Sequence, residues 1–165
     1  RHQGRIDRGS FIHPEIGYNF RMNDIQMAIG LVQMKKFPKI VELKQKNYRL
    51  YCKLLESVDE VEILKPREEI SPFIPFRVLL MTKNEPSENL MDYMNENNIE
   101  SRTFFYPLHM QPCFQIWKDD PRHDHLNFPN TTHAYEHGIC LPSFAALTEK
   151  QIIYVCDVIK EYIGR

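Results

Sequence analysis

Apolar positions in this chain recur at helical spacing toward both ends and gather into short extended runs between them. Ile25, Ala28, Ile29 and Val32 share one face of a 3.6-residue period. Asn23 stands three residues before Gln26, the spacing of a capping box with Asn in place of Ser or Thr, so a helix is expected to open there. Pro38 ends this helix or opens the next, and Tyr48, Tyr51 and Leu55 form the stripe of a second helix running to about residue 57. Residues 61–65 read as a short strand. Residues 73–81 read as a longer, more buried one, with Pro75 arguing for an edge position or a late start. A helix over 84–98 carries Pro86 in its first turn, and 99–103 reads as a strand. Residues 104–127 form a long loop with Pro107, Pro112 and Pro121, a length that in a compact domain often marks function. A short helix over 130–138 with a glycine stop precedes a short extended piece, 140–143. Thr148 and Gln151 form a second capping box, opening a last helix that buries Ile152, Cys156, Ile159 and Ile163.

Helices first, then alternating strands and helices, predict an α+β layer: a small, mostly antiparallel sheet covered by helices. Residues 1–21, broken by Gly4, Gly9, Pro14 and Gly17, read as irregular. The first helix is apolar nearly all round, with Met22, Ile25, Met27, Ala28, Ile29, Leu31, Val32 and Met34 wrapping it. Such a helix is expected to be buried in a complete protein and, in isolation, to leave an apolar patch that promotes self-association.

Composition narrows the class without choosing a function. The 165 residues are enough for one domain with a sizeable core, and 42% apolar and 26% charged residues are globular values. A net charge of -1 sets up no global field for nucleic acid or an anionic membrane. The apolar runs fall short of the ~20 residues of a membrane span. The chain opens Arg1-His2-Gln3-Gly4 with neither an initiator Met nor a signal peptide, so position 1 is expected to be internal to a longer protein. Cys52, Cys113, Cys140 and Cys156 show no C-x-x-C spacing and read as free thiols, which suits a reducing cytoplasm.

Three blocks carry chemistry. Residues 17–30, G-Y-N-F-R-M-N-D-I-Q-M-A-I-G, resemble the G-Y-N-[YF]-R-[ML]-x-[DE]-[IL]-Q-A-A-I-G signature of the DegT/DnrJ/EryC1/StrS aminotransferases, and R-H-Q-G at 1–4 looks like the R-x-H-G just upstream of it. Residues 102–109, R-T-F-F-Y-P-L-H, resemble the R-x-F-F-Y-P-[ML]-H of the perosamine-synthase branch. Residues 138–143, G-I-C-L-P-S, look like the family's G-x-x-L-P block before the last helix.

The resemblance implies the C-terminal small domain of a fold-type-I pyridoxal 5'-phosphate enzyme that works as a homodimer, with 1–37 as the interface loop and helix leading from a large domain and 38–165 as the small domain. It implies a cytoplasmic enzyme that takes an amino group from glutamate to C4 of a nucleotide-linked 4-keto-6-deoxy sugar, as in GDP-perosamine synthesis for O-antigen or other surface polysaccharide. It also implies that no catalytic residue lies in this chain. The family's Schiff-base lysine is upstream of R-x-H-G, and Lys35, Lys36 and Lys39 do not match its motif. The cofactor would therefore be held mainly by an N-terminal part, and the fragment alone would be inactive.

Site residues follow by the same resemblance. Asn19 reaches across the dimer and donates its amide to the cofactor phosphate, a donor that adds no charge; its local reading is a turn residue before the helix. Arg21 pairs with a phosphate or with the carboxylate of the glutamate donor, or else makes a surface ion pair with Asp24. Tyr18 lines the same site or packs. Arg102, Phe105, Tyr106 and His109 hold the sugar, His109 by hydrogen bonds to its hydroxyls or keto oxygen, while Phe104 goes to the core. His13 is a weaker candidate.

Rival chemistries are thin. His133 and His137 share a helix face at i, i+4, and His123 and His125 sit nearby, but no H-E-x-x-H motif or third ligand accompanies them, so no metal is expected. Arg1, Arg5 and Arg8 lack an aromatic platform for nucleic acid. A truncated, non-catalytic domain that binds a sugar nucleotide or a partner, and a split enzyme completed by another chain, are the alternatives.

Overall fold

The computed structural model describes residues 16–18, 20–67, 69–70, 73–117, 120, 122 and 127–164. The chain divides into two compact units, Arg1–Lys39 and Ile40–Arg165.

Helix α1 spans Asp24–Leu55 with Pro38 inside it. The two helices expected on either side of Pro38 are thus one element. A proline removes a single backbone donor from the ladder, a local loss set among many intact turns. The expected capping box is present: the Asn23 amide donates to Gln26 Oε1 at 3.0 Å, and the Gln26 amide donates to Asn23 Oδ1 at 2.9 Å. Within the first unit, Met22, Ile25, Ile29, Leu31 and Met34 are all exposed, so the apolar surface foreseen for this helix is uncovered.

The second unit is an α+β layer. Strands β1 (Val61–Ile63), β2 (Val78–Thr82), β3 (Arg102–Thr103) and β4 (Gly138–Leu141) form one sheet of order β1-β2-β4-β3, antiparallel at every pairing. Strand β2 begins three residues after Pro75, the late start that proline implied. Helices α2 (Glu88–Glu96), α3 (Pro129–His137) and α4 (Glu149–Ile163) complete the unit. In the register Leu80 faces Ile139 and Val78 faces Leu141. Because side chains alternate across a strand, these four point to one face. There they meet Tyr51, Leu90, Met94, Ile152, Cys156 and Ile159 in the buried cluster. Each aliphatic side chain fully buried here contributes about 1.5–3 kcal/mol. All four residues of β4 are buried, as a central strand covered on both faces requires.

Two helix ends are set by side chains and backbone together. Helix α4 opens on the Thr148–Gln151 capping box. Helix α2 closes with Asn98 at φ 58°. The Asn98 amide donates to the Asn95 carbonyl and the Ile99 amide to the Met94 carbonyl, both at 2.9 Å. This is the paired bonding of a Schellman close, with Ile99 buried beside Met94 as its apolar contact.

Among its described residues, the loop expected over 104–127 contains the 3-10 segments Leu108–Met110 and Pro112–Trp117. The glycine stop after α3 is at once the first residue of β4. Gly138 has φ -91° and ψ 131°, open to any residue, so its small size matters rather than its backbone freedom. A Cβ there would come within 2.6 Å of the Phe104 ring and closer still to the Ala134 carbonyl oxygen. Phe104, expected in the core, is half-buried against this point.

Candidate functional site

In the first unit, the segment before α1 presents aromatic rings to solvent. Tyr18 and Phe20 stack at 5.4 Å with their planes 8° apart, and they are 67% and 87% exposed. Stacking exposed rings in parallel shields part of each from water while leaving the outer faces free. Arg21 follows them, also exposed. The Asn23 cap fixes where the helix starts and so where this segment ends. Asn19, expected at the cofactor phosphate, lies outside the described residues, as do 1–4, Arg5, Arg8 and His13.

In the second unit, side chains from α1 fasten the backbone that enters the sheet. The Lys44 ammonium donates to the carbonyls of Pro75 at 3.1 Å and Phe76 at 2.6 Å. Gln45 Nε2 donates to the Phe73 carbonyl at 2.8 Å, and the Tyr48 hydroxyl donates to the Leu64 carbonyl at 3.1 Å. Burial lowers the Lys44 pKa from its ordinary value, since desolvation disfavours the charged form. Further along, Asn47 Nδ2 donates to the Phe144 carbonyl at 3.2 Å and the Tyr51 hydroxyl to the Pro142 carbonyl at 2.9 Å. The G-x-x-L-P-S block is thereby tied to α1 through buried polar side chains.

The R-T-F-F-Y-P-L-H block does not converge on one point. Arg102, on the edge strand, pairs with Glu100 at 2.6 Å and lines a cavity of about 580 Å3 together with Arg77, Ser143, Gln151 and Tyr154. Phe105, 84% exposed, lines a second cavity of about 670 Å3 with Phe76, Arg77, Leu79 and Tyr135. Tyr106 packs edge-on against Tyr135 at 5.1 Å. His109 stacks on Phe128 at 4.6 Å, and its Nε2 is buried with no hydrogen-bond partner among the described residues. Thr132, whose amide bonds the Phe128 carbonyl, has a buried Oγ1 in the same condition. Buried polar atoms are normally satisfied, so an unpartnered imidazole nitrogen and hydroxyl flanking Phe128 mark places where a ligand or water would bond.

Arg77 is a residue that the sequence reading passed over. It touches both cavities, and its only signal is a cation one residue ahead of an apolar strand.

For metal chemistry, the His133 and His137 rings lie 4.3 Å apart. His137 Nδ1 is within hydrogen-bond distance of Thr82 Oγ1, at 3.2 Å, and of the Thr82 carbonyl, at 3.1 Å. Among the described residues no group of three or more His, Cys, Asp or Glu could hold a metal, and His123 and His125 lie outside them. Cys52, Cys113, Cys140 and Cys156 are free thiols. No described helix is long and apolar enough to cross a membrane.

The Lys44 ammonium, whose pKa burial lowers, is engaged by two carbonyls, and the buried polar side-chain atoms left without a partner among the described residues are His109 Nε2 and Thr132 Oγ1.

The profile of the DegT/DnrJ/EryC1/StrS aminotransferase family matches residues 1–160. The chain is 30% identical over 161 residues to GDP-perosamine synthase of Escherichia coli O157:H7, covering 97% of this chain and 42% of that protein. It is 28% identical to the GDP-perosamine synthase of Vibrio cholerae, covering 99% and 44%. It is 26% identical to the dTDP-4-amino-4,6-dideoxy-D-glucose transaminase of Shigella dysenteriae, covering 88% and 39%. The chain thus spans less than half the length of these relatives. Among solved structures, Spr1654 of Streptococcus pneumoniae in its PLP-form shares the fold with a TM-score of 0.81 at 17% identity, over 99% of this chain and 41% of that one. Helicobacter pylori PseC, an aminotransferase of pseudoaminic acid biosynthesis, shares it at 0.79 and 17%, over 98% and 43%.

Proposed function

The chain belongs to the DegT/DnrJ/EryC1/StrS aminotransferase family, and on that premise we propose that it is the C-terminal part of a pyridoxal-phosphate-dependent enzyme moving an amino group from glutamate to C4 of a nucleotide-linked 4-keto-6-deoxy sugar. The observation that carries this reading is the match to two GDP-perosamine synthases along nearly the whole chain. The product would enter O-antigen or a related surface polysaccharide, made in the cytoplasm.

Pyridoxal phosphate, when bound, supplies the electron sink for the proton shift at the substrate carbon. This chain's own residues bind and orient. Asn19 and Arg21 hold the cofactor phosphate of the opposite subunit, and Tyr18 borders it. His109 offers its unpartnered Nε2 to a sugar hydroxyl or keto oxygen, with Phe105, Tyr106 and Arg102 along the substrate's path. Residues 1–37 lead in from a large domain that carries the reacting lysine. The uncovered apolar face of α1 is the surface that packs in the assembled homodimer, because exposed apolar area of this kind is stabilised by burial.

The test is reconstitution. The chain is combined with the segment of the Escherichia coli O157:H7 relative that it does not match, together with cofactor and glutamate. Release of 2-oxoglutarate is then followed with a GDP-linked and a dTDP-linked 4-keto-6-deoxy sugar. Turnover with the GDP-linked sugar is expected. A soluble, associated pair that transfers no amino group to either sugar sinks the reading.

A further inference from the structure

Arg77 is half-buried, and among the described residues its guanidinium makes no ion pair or hydrogen bond. It rests instead over two aromatic rings, 5.4 Å from the centre of Phe76 and 5.6 Å from that of Phe105. Contacts of this kind engage the face of a guanidinium and leave its in-plane N–H fork available, the part that matches phosphate oxygens in pairs. The two rings are 77% and 84% exposed. They stand at the rim of the 670 Å3 cavity, which Lys65 also lines. On its other side Arg77 lines the 580 Å3 cavity with Arg102. Both volumes fall within the range of small-molecule sites. The Phe76 side of this platform is anchored, because Lys44 and Gln45 donate to the carbonyls of Phe73, Pro75 and Phe76.

A bare anion would use the guanidinium but not the rings, and a neutral aromatic would use the rings but not the guanidinium. A ligand with a flat heteroaromatic base joined to a multiply charged phosphate uses both. We propose that Arg77 is the phosphate-recognition point for a nucleoside diphosphate, with Phe76 and Phe105 as the platform for its base. This names the part of the sugar nucleotide that the second unit reads, and it rests on the proposed function for the sugar that the diphosphate carries.

The test is calorimetric titration of the full chain with GDP, guanosine and inorganic pyrophosphate, repeated on Arg77→Ala, Arg77→Lys and Phe105→Leu. GDP should bind the parent chain. Arg77→Ala should weaken GDP and pyrophosphate by about tenfold or more. Arg77→Lys, which keeps charge and stem but loses the fork, should fall between. Phe105→Leu should weaken GDP and guanosine while leaving pyrophosphate within about twofold. No GDP binding to the parent chain, or GDP affinity unmoved by both Arg77→Ala and Phe105→Leu, overturns the proposal. In the reconstituted enzyme the two readings separate. Arg77-dependent GDP binding without amino transfer sinks the aminotransferase reading and leaves this site standing. Turnover of a GDP-sugar whose KM is unmoved by Arg77→Ala does the reverse.

Discussion

Gly138→Ala adds one methyl group where helix α3 turns directly into the central strand. The backbone there, φ -91° and ψ 131°, suits alanine, so the substitution carries no conformational penalty. It should even gain about 0.4–1 kcal/mol by restricting the unfolded chain. Against this, the new carbon would stand 2.5 Å from Phe104 Cγ and nearer still to the Ala134 carbonyl oxygen. The ring can swing aside, but the carbonyl belongs to the backbone of α3 and moves only if the helix end opens. Overpacking of this kind costs about 1–3 kcal/mol, so the net effect should be a loss of roughly 1–2 kcal/mol. Urea unfolding followed by circular dichroism measures it: the midpoint should fall while the slope is kept. Gly30→Ala is the control, because a Cβ there meets nothing within 4 Å. It should strengthen α1 locally by about 0.5–1 kcal/mol, seen as slower amide exchange around residue 30. A Gly138→Ala chain as stable as the parent, or more so, refutes the steric account.

Other substitutions test other joints. Tyr51→Phe removes the buried hydroxyl that donates to the Pro142 carbonyl and should cost about 1–2 kcal/mol in the same urea assay, since that carbonyl is left unsatisfied. Asn98→Ala should cost about 1 kcal/mol at the left-handed close of α2, whereas Asn98→Gly should not. Burial pushes the Cys156 thiol from 9.0 up to about 12. The folded state therefore holds its proton after the unfolded state has released it. The stability this contributes is full below pH 9 and is lost as pH rises from 9 toward 12, and Cys156→Ala should flatten that alkaline limb. In native chain at pH 8, a thiol reagent should label exposed Cys113 first, and buried Cys140 and Cys156 only on unfolding.

Much of the fold was legible because it is written locally. The Asn23–Gln26 and Thr148–Gln151 boxes need only a three-residue spacing, and both form in the structure. The stripes Tyr48–Tyr51–Leu55 and Ile152–Cys156–Ile159–Ile163 follow from helical period; five of these residues are buried, while Tyr48 and Ile163 are half-buried against the same core. Pro75 set the late start of β2 through its missing donor. Pro38 misled because a proline's cost is local while the continuity of α1 depends on the turns around it. The bounds of α2 and β3 came out shorter than expected because helix and strand ends are fixed by tertiary bonds, such as the Ser87 amide donating to the Glu136 carbonyl at 2.8 Å. At the candidate site, the motif grouped Arg102, at the end of an expected strand, with Phe105, Tyr106 and His109 in the loop that follows it. It could not show that they divide between two cavities and the Phe128 contact. Arg77 escaped for a related reason: what distinguishes it is the company its guanidinium keeps, which no single-sequence pattern reports.

The most direct measurement of the central claim is to fix pyridoxal phosphate with borohydride and locate the labelled lysine by mass spectrometry, in this chain alone and in the reconstituted pair. The account predicts label on a lysine of the complementary segment, none on Lys35, Lys36, Lys39 or Lys44, and 2-oxoglutarate from the pair only. Label on a lysine of this chain, with 2-oxoglutarate released from glutamate by the chain alone, contradicts it.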